Sequence, residues 1–525
     1  MKRIYLLFLA VVLLSCEDKM FKDNEDNYIV IPGEQEVLDL LNGAYNRLIE
    51  VHNSDYFVAL SRADDINIYE YYEYPDPNPP PKNACLQYGT DIPKNVSGDI
   101  YAKLYTAIAN INKLLQHLAT SGNNILLGEL YFLRAYCYFK LARLFGTPPL
   151  VTDIDVNYFI EKPTYKEVYE FIEADMLKAL ELLPETYTGA RVPGETPHKG
   201  TARAVLAEIY LAMAGYPVND ASKYSEAACL AGEVIETAEY YNYGLLNDMS
   251  DLWKKDNRHN KENIFGLFFT DSSSNENTIN LKPSIKVRDD FYLGWQLDMK
   301  LYHTSMKFFM SFPNQYRREV SFTTGRFLQV YNDLDIAIPD SFIYVIYNPI
   351  EDPCDFMEYV LSKKFIELRQ RVPPLSEWCP IPGNNVVTLY LFRYAHTLLT
   401  YAEAKTRAGE MDETCFEAVN MIRRRANKLD IYAPSEFDLQ PGLTSEQFLD
   451  SLVWERAWEL CHEPEGRWFD MVRLDLRKKL PGYFLPNSLD QYASLDSRYF
   501  NKDWYFYLIP EEDRFLNPNF EENDK

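Results

Sequence analysis

Acidic and basic side chains follow one another at helical spacing between Thr444 and Asp475. Paired carboxylates in such a stretch can serve as a general acid and a general base. They can equally form a buried ion-pair network, because a guanidinium on an apolar helix face is tolerated only when carboxylates bond it. Three tryptophans crowd the stretch and favour the network. Its predicted members are Glu455, Arg456, Glu459, Arg467, Asp470 and Arg473.

A second group of residues suits ligand binding by contact. Directly after Asp64 and Asp65 the chain reads I-N-I-Y-E-Y-Y-E-Y-P-D-P-N-P-P-P-K, and such a proline cluster cannot be helical. Exposed rings offer flat apolar area at a small entropic cost, although tyrosines of this kind can instead cover a helix pair. More rings occur in the loop-rich region that follows Tyr240. The predicted ligand-binding residues are Asp64, Tyr69, Tyr71, Tyr72, Tyr74, Trp253, Tyr292 and Trp295.

The sequence carries no recognisable catalytic or metal-binding motif. GxGxxG, GxxxxGK[ST], HExxH and GxSxG are all absent, and the 7 histidines share no spacing. A glycosidase needs two carboxylates across a scissile bond, which the adjacent Asp64 and Asp65 do not provide by themselves. We therefore predict a protein that is not an enzyme, with no catalytic residue, no metal site and no cofactor.

The negative net charge makes a nucleic-acid partner an unfavourable prediction. Acidic residues number 78 against 53 basic ones, which gives a formal net charge of -25. A surface of this sign repels phosphate backbones, and the sequence has no basic stripe that would offset the repulsion.

The N-terminal residues predict export and lipid anchoring. Two basic residues and an apolar run precede Leu13-Leu14-Ser15-Cys16, which is similar to a bacterial lipobox. This pattern predicts a signal peptide over 1–15, lipidation of Cys16 and an acidic tether over 16–27. No later segment reaches 18 consecutive apolar residues, so we expect a body that is attached to a membrane and does not cross it.

Helices must position these residues. Apolar residues recur with a period near 3.6, and later helices come in pairs whose small residues allow close approach, as in tetratricopeptide-like hairpins. A capping box of Thr444 and Gln447 starts the helix that carries the charged stretch. The other predicted helices lie within 37–48, 100–118, 129–145, 165–183, 200–214, 224–238, 389–409 and 413–426.

The cysteines divide into two groups. Four lie in helical patterns and are predicted as small core residues, namely Cys137, Cys229, Cys415 and Cys461. Cys354 and Cys379 flank one loop-rich segment and could pair after export, although spacing alone cannot fix a connectivity.

Five blocks resemble the SusD/RagB family of surface nutrient-binding lipoproteins. The blocks are F-L-R-A-Y-C-Y-F-K-L-A-R-L-F-G-T-P-P-L-V, K-G-T-A-R-A-V-L-A-E-I-Y-L, R-Y-A-H-T-L-L-T-Y-A-E-A, E-R-A-W-E-L with E-G-R-W-F-D-M-V-R, and a closing I-P with N-P-N. In the third block His396 replaces the glutamate that the family shows. The blocks follow the family's order from residue 129 to residue 519.

The resemblance implies a mainly α, SusD-like fold built on tetratricopeptide-like helical hairpins, with a loop-rich, short-strand ligand-binding insertion. The implied regions are an N-terminal helical-repeat region (28–240), an irregular ligand-binding region (241–385) and a C-terminal helical region (386–525).

The resemblance also implies a function. Family members are lipoproteins of the outer membrane that face the cell exterior, bind an oligosaccharide or polysaccharide and deliver it to a TonB-dependent, SusC-like transporter. Three alternatives stay open: capture of a peptide or another nutrient, a purely structural lid of the transporter, and a surface glycoside hydrolase.

Overall fold

The computed structural model describes the helical scaffold and part of the loop-rich region. The residues described are 34–52, 63–68, 94–153, 159–187, 193–268, 302–304, 306–323, 325–331, 337–346, 361–362, 364, 368–370, 378–380, 388–476 and 505–520. Their helices are α1 (Glu34–Val51), α2 (Lys94–Leu118), α3 (Asn124–Phe145), α4 (Tyr165–Leu182), α5 (Lys199–Ala214), α6 (Lys223–Glu236), α7 (Ala238–Tyr241), α8 (Met306–Met310), α9 (Gln315–Ser321), α10 (Tyr394–Arg407), α11 (Glu413–Ala426), α12 (Ser445–Glu459), α13 (Arg467–Arg473) and α14 (Glu511–Leu516).

The strands are short and pair two by two. They are β1 (Ile66–Ile68), β2 (Asn263–Leu267), β3 (Tyr302–Thr304), β4 (Phe322–Thr323), β5 (Gly325–Tyr331), β6 (Ala337–Ile346), β7 (Leu361–Ser362), β8 (Leu368–Gln370), β9 (Trp378–Pro380) and β10 (Leu389–Arg393). The antiparallel pairs are β1 with β3, β2 with β10, β4 with β7, β5 with β6, and β8 with β9.

Helical hairpins form the scaffold. α1 packs against α2, α3 against α4, α5 against α6, and α10 against both α6 and α11. The predicted mainly α, tetratricopeptide-like architecture is therefore confirmed. None of the helices in the described ranges is both long and apolar enough to cross a membrane.

α3 is the central helix of the scaffold. Apolar and aromatic residues cover almost its whole circumference, and nearly all of them are buried. A helix that is apolar all round is stable only when other elements enclose it, and α2 and α4 pack along it. Its three basic residues, Arg134, Lys140 and Arg143, are buried as well and need carboxylate partners.

Threonine capping boxes fix the starts of α4 and α12. At α12 the Thr444 hydroxyl accepts from the Gln447 backbone N–H, and the Gln447 side chain accepts from the Thr444 backbone N–H, so the predicted capping box is confirmed. The same arrangement joins Thr164 and Glu167 at the start of α4. Each cap satisfies backbone groups that have no partner within the helix.

The prediction of a helix from Leu389 was wrong in its first turn. Residues Leu389–Arg393 form β10, which pairs with β2, and the helix starts at Tyr394. All five residues of β10 are buried. A short strand that is covered on both faces lacks the alternation that would separate it from a buried helix.

The prediction that Cys229 is a core residue was also wrong, because its side chain is exposed on α6. Cys137, Cys415 and Cys461 are buried free thiols, as predicted. The side chains of Cys354 and Cys379 lie outside the described residues, so their pairing stays a prediction.

One contiguous apolar core runs through the scaffold from α1 to Phe520. A smaller cluster lies beside α12 and contains Phe308, Phe309, Phe312 and Phe322, with Trp458 packed against it. This second cluster attaches α8 and α9 to the scaffold.

Candidate ligand-binding site

Two of the eight predicted ligand-binding residues, Asp64 and Trp253, lie in the described part of the chain. The residues outside it are Tyr69, Tyr71, Tyr72, Tyr74, Tyr292 and Trp295, together with the predicted lipidation residue Cys16. Their roles therefore stay predictions.

Trp253 lies in the core, and this differs from the predicted binding role. Its side chain is 4% exposed, and its ring packs edge-on against Tyr390 with 5.8 Å between the ring centroids. The Lys364 ammonium lies 5.8 Å from the indole centroid. A ring in this position has no free face on which a ligand could stack, so Trp253 acts as a packing residue in this structure.

Asp64 is also engaged within the protein. Its Oδ1 accepts from Arg467 Nε at 2.7 Å and its Oδ2 accepts from Arg467 Nη2 at 2.8 Å. Both side chains are buried. This two-point contact joins the segment before β1 to α13 and uses the carboxylate that was predicted to bind a ligand.

β1 and β3 bring the ends of two predicted aromatic segments together. Ile66 pairs with Thr304, Asn67 with His303, and Ile68 with Tyr302. The tyrosine segment starts one residue after Ile68, and the segment with Tyr292 and Trp295 reaches β3 at Tyr302. Both segments therefore adjoin the same end of one two-stranded ribbon, although they are more than 200 residues apart in the sequence.

The turn between α12 and α13 contacts Asp65, which directly precedes β1, and Thr304, the last residue of β3. His462 N–H donates to Asp65 Oδ2 at 3.0 Å, and His462 Nε2 lies 3.0 Å from the Asp65 carbonyl oxygen. The same ring nitrogen lies 3.5 Å from Thr304 Oγ1. Burial lowers the pKa of His462 to about 4, so the ring is neutral near pH 7 and can donate its one N–H to the carbonyl.

A cluster of guanidiniums surrounds Glu459 on α12. Its Oε1 accepts from Arg393 Nη1 and Arg425 Nη2, both at 2.6 Å, and its Oε2 accepts from Arg317 Nη1 at 3.2 Å. Arg317 Nη1 also donates to Glu455 Oε1 at 2.5 Å. Burial raises the pKa of the Glu459 carboxyl, but the three guanidiniums outweigh burial and hold the pKa well below its ordinary value.

A second cluster joins α12 and α13 to α5 and α10. Arg456 donates to Asp470 Oδ2 at 2.9 Å and to Glu208 Oε1 at 3.0 Å. Arg473 donates to both oxygens of Glu403, at 2.7 and 2.6 Å, and also to Asp470. Burial raises the pKa of Glu403, yet Arg473 and other guanidiniums hold it well below its ordinary value. Glu403 is therefore a charged partner of Arg473.

A third cluster joins the same turn to α3. Glu465 pairs with Lys140 and Arg143, and it accepts from the Tyr136 hydroxyl at 2.8 Å. Burial raises the pKa of Glu465, but Arg143 and Lys140 together lower it to about 2. The Arg143 guanidinium also lies 4.0 Å from the centroid of the Phe469 ring.

All six residues of the predicted network lie in buried ion pairs, but most of their partners come from elsewhere in the chain. Sequence reasoning missed the direct partners Glu208, Arg317, Arg393, Glu403 and Arg425, and it also missed Glu262, Lys364 and Glu465, which extend the clusters. One of them carries a signal, because Arg393 ends the apolar run L-Y-L-F-R and a guanidinium there needs a buried carboxylate.

These ion-pair clusters hold elements of the fold together. Their carboxylates are bonded to arginines and lysines and are enclosed by the core. Within the described ranges, no group of three or more His, Cys, Asp or Glu side chains could hold a metal ion. The clusters attach the turn between α12 and α13 to the helices on one side and to the β1–β3 ribbon on the other.

Comparison with known proteins gives matches to two family descriptions. Residues 82–211 match a family described as "Starch-binding associating with outer membrane", and residues 359–524 match the SusD family. SusD-like protein P2 of Formosa agariphila is 28% identical over 403 residues, which cover 74% of this chain and 70% of that protein.

Solved structures share the fold. A SusD homolog from Bacteroides thetaiotaomicron has a TM-score of 0.70 at 22% identity, covering 93% of this chain and 96% of that one. A laminarin-binding SusD-like protein has a TM-score of 0.64 at 19% identity, with 92% and 97% covered. A structure with xylogluco-oligosaccharide has a TM-score of 0.63 at 19% identity, with 93% and 98% covered. Together with the two family matches, which lie in the order of the sequence blocks, these findings show that the chain belongs to the SusD/RagB family.

Proposed function

We propose that the protein is a lipid-anchored binding protein of the outer membrane that captures a glycan at the cell exterior and delivers it to a TonB-dependent, SusC-like transporter. Membership of the SusD/RagB family supports this function. Two proteins of the same fold add support, since one binds laminarin and the other was solved with a xylogluco-oligosaccharide. The proposal is capture without turnover of the glycan.

The pairing of β1 with β3 is the observation that carries the proposal. Ile68 and Tyr302 are opposite each other across the ribbon. An extended chain spans about 3.5 Å per residue, so Tyr74 lies within about 20 Å of Ile68 and Trp295 within about 25 Å of Tyr302. Two ring-rich segments that share one attachment point can build one binding surface.

The expected binding chemistry follows from the residue types. Aromatic faces stack on the C–H faces of sugar rings, and polar side chains bond the hydroxyl groups. Asp64 and Trp253 do not contribute to this surface, because both side chains are buried within the protein. The surface that we propose is formed by Tyr69, Tyr71, Tyr72, Tyr74, Tyr292 and Trp295.

Affinity gel electrophoresis tests glycan capture. Laminarin, xyloglucan and starch are the first polysaccharides to include, because the relatives and the family description point to them. We expect one of them to retard the wild-type protein, and we expect Trp295→Ala and Tyr72→Ala to migrate freely. Tyr240→Ala is the matched control, since this ring is 61% exposed on α7 and belongs to the scaffold.

The outcomes separate the functions. Retardation that all three variants retain would remove the aromatic segments from the binding surface. If neither these polysaccharides nor a wider glycan array is bound, the glycan proposal is wrong. Chromatography of the glycan after incubation tests for turnover, and new shorter products would establish a hydrolase.

The lipid anchor and the transporter have their own experiment. We expect the full-length protein to fractionate with outer membranes and to co-purify with a TonB-dependent transporter. Cys16→Ser removes the predicted acylation site, so this variant should leave the membrane fraction. A Cys16→Ser protein that stays membrane-bound to the same extent would show that another feature anchors it.

A further inference from the structure

A small cavity lies where α3, α4, α5 and α13 meet. Its volume is about 20 Å³, and its wall includes Tyr169 of α4, Glu208 of α5 and Arg473 of α13. The residues of this wall are buried, except for Tyr216 and Pro217, which are half-buried. The cavity is therefore internal, and Tyr216 and Pro217 are the part of its wall that reaches the protein surface.

Tyr169 brings a polar group to this wall that the protein itself does not bond. The residue is 2% exposed, and its hydroxyl makes no hydrogen bond to another residue in the described ranges. Tyr138 on the adjoining α3 shows the usual arrangement, because its hydroxyl donates to the Val151 carbonyl oxygen at 3.0 Å and accepts from the Val151 N–H at 2.7 Å. Buried tyrosine hydroxyls normally have such a partner, so we expect the partner of Tyr169 to lie in the cavity.

Glu208 and Arg473 can each bond a molecule in the cavity without losing a contact. Glu208 Oε1 accepts from Arg456 at 3.0 Å and Oε2 accepts from the Thr400 hydroxyl, whereas a carboxylate can accept about four hydrogen bonds. Arg473 has five N–H groups and makes four hydrogen bonds to two carboxylates of the second cluster. The wall therefore offers a hydroxyl, a carboxylate acceptor and one further N–H donor.

The volume and the charges of the wall indicate a neutral occupant of the size of water. A water molecule needs about 10–15 Å³ of such space, so the cavity has room for one. The Glu208 carboxylate opposes an anion, and the guanidiniums of Arg143 and Arg473 oppose a cation. Cavities that stay dry are lined by apolar groups, which is not the case here.

We propose that the cavity binds one internal water molecule, which accepts a hydrogen bond from the Tyr169 hydroxyl and donates one to the Glu208 carboxylate. A third bond, accepted from the remaining Arg473 N–H, gives the number that is usual for a buried water. The water links α4 to the ion-pair cluster of Arg456, Glu208 and Arg473. This site is separate from the proposed glycan-binding surface and does not depend on the glycan function.

A high-resolution crystal structure of the full-length protein tests the site directly. We expect one water peak within about 3.2 Å of both the Tyr169 Oη and a Glu208 carboxylate oxygen. In crystals of Tyr169→Phe this peak should weaken or disappear, because the water loses one of its three partners. A cavity without density, a peak with the anomalous signal of an ion, or a peak that is unchanged in Tyr169→Phe would overturn the proposal.

The melting temperature of Tyr169→Phe, measured by differential scanning calorimetry, gives a second test. Loss of a hydroxyl that is bonded to water should lower the melting temperature by about 1–2 °C, whereas loss of a buried hydroxyl without a partner should leave it unchanged or raise it. Tyr138→Phe is the matched control and should lower the melting temperature, since its hydroxyl is bonded to Val151. A Tyr169→Phe protein that melts at or above the wild-type temperature overturns the proposed water site, whatever glycan the protein binds.

Discussion

Replacement of Arg393 by lysine tests whether the buried clusters depend on arginine geometry or only on charge. The guanidinium donates five hydrogen bonds, to Glu262 Oε1 at 2.7 Å, to Glu459 Oε1 and carbonyl oxygen at 2.6 and 2.8 Å, and to both oxygens of Glu463 at 2.8 and 2.9 Å. An arginine side chain has five N–H groups, so every donor is used. Lysine has three donors and keeps the charge.

The magnitude follows from the lost donors. Arg393→Lys leaves at least two of these buried acceptor contacts unmade, at about 1–3 kcal/mol each. We therefore expect the free energy of unfolding to fall by about 2–6 kcal/mol. Arg393→Met should cost more, because it also removes a cation from among three carboxylates. Urea unfolding at pH 7, followed by circular dichroism and tryptophan fluorescence, measures both changes.

The matched control is Arg203→Lys. Arg203 lies 3.4 Å from Glu185 and 3.3 Å from Glu233, and its side chain is 22% exposed. A pair with this much solvent contributes less than about 1 kcal/mol, so the control should unfold nearly like the wild type. If Arg393→Lys also stays within about 1 kcal/mol of the wild type, donor count does not govern these clusters and the reasoning fails.

Three further predictions follow from single residues. Stability that Glu465 contributes above about pH 4.5 should be lost as the pH falls toward its folded pKa of about 2. About 2 kcal/mol of it should be lost between pH 6 and pH 3. Over this range the urea midpoint should therefore depend less on pH in Glu465→Gln than in the wild type, and an equal slope in both proteins would contradict the pairing. Gly466→Ala should destabilise the protein by more than about 2 kcal/mol, since its Cβ would lie 2.4 Å from a backbone oxygen. Gly98→Ala in α2 is the control, because a Cβ there meets nothing within 4 Å and the change should be neutral or stabilising. Similar melting temperatures for the two variants would refute this prediction. Cys229 is exposed and should react with Ellman's reagent in the folded protein. Cys229→Ser should remove one fast-reacting thiol, and an unchanged thiol count would show that Cys229 is covered.

Helices could be predicted because their signal is local. The capping box at Thr444 and the helical period of α12 are both contained within a few turns of chain. β10 shows the limit of such reasoning, since its helix-like apolar run becomes a strand only through pairing with β2, which lies more than 120 residues earlier. Local pattern alone does not contain that partner.

In the candidate site, too, the local features could be predicted from the sequence and the distant partners could not. The charges on α12 and α13 predicted an ion-pair network, but Glu459 is bonded by Arg393, Arg425 and Arg317, each from a different element. Trp253 was predicted to bind a ligand because of its residue type, but its side chain is buried. Residue type alone does not say whether a side chain faces the core or the solvent. Exposure of a ring depends on tertiary packing and is therefore not a sequence property.

Four buried charged residues share a feature that apolar residues would not reproduce. Asp64 lies before β1, Arg317 lies on α9, Lys364 lies between β7 and β8, and Arg393 ends β10. Each bonds α12, α13 or the turn between them. Apolar contacts would give comparable burial without direction, whereas hydrogen-bonded ion pairs accept one orientation and are costly to break from one side. The scaffold thus fixes these four positions against α12, α13 and the turn between them by directed charge contacts.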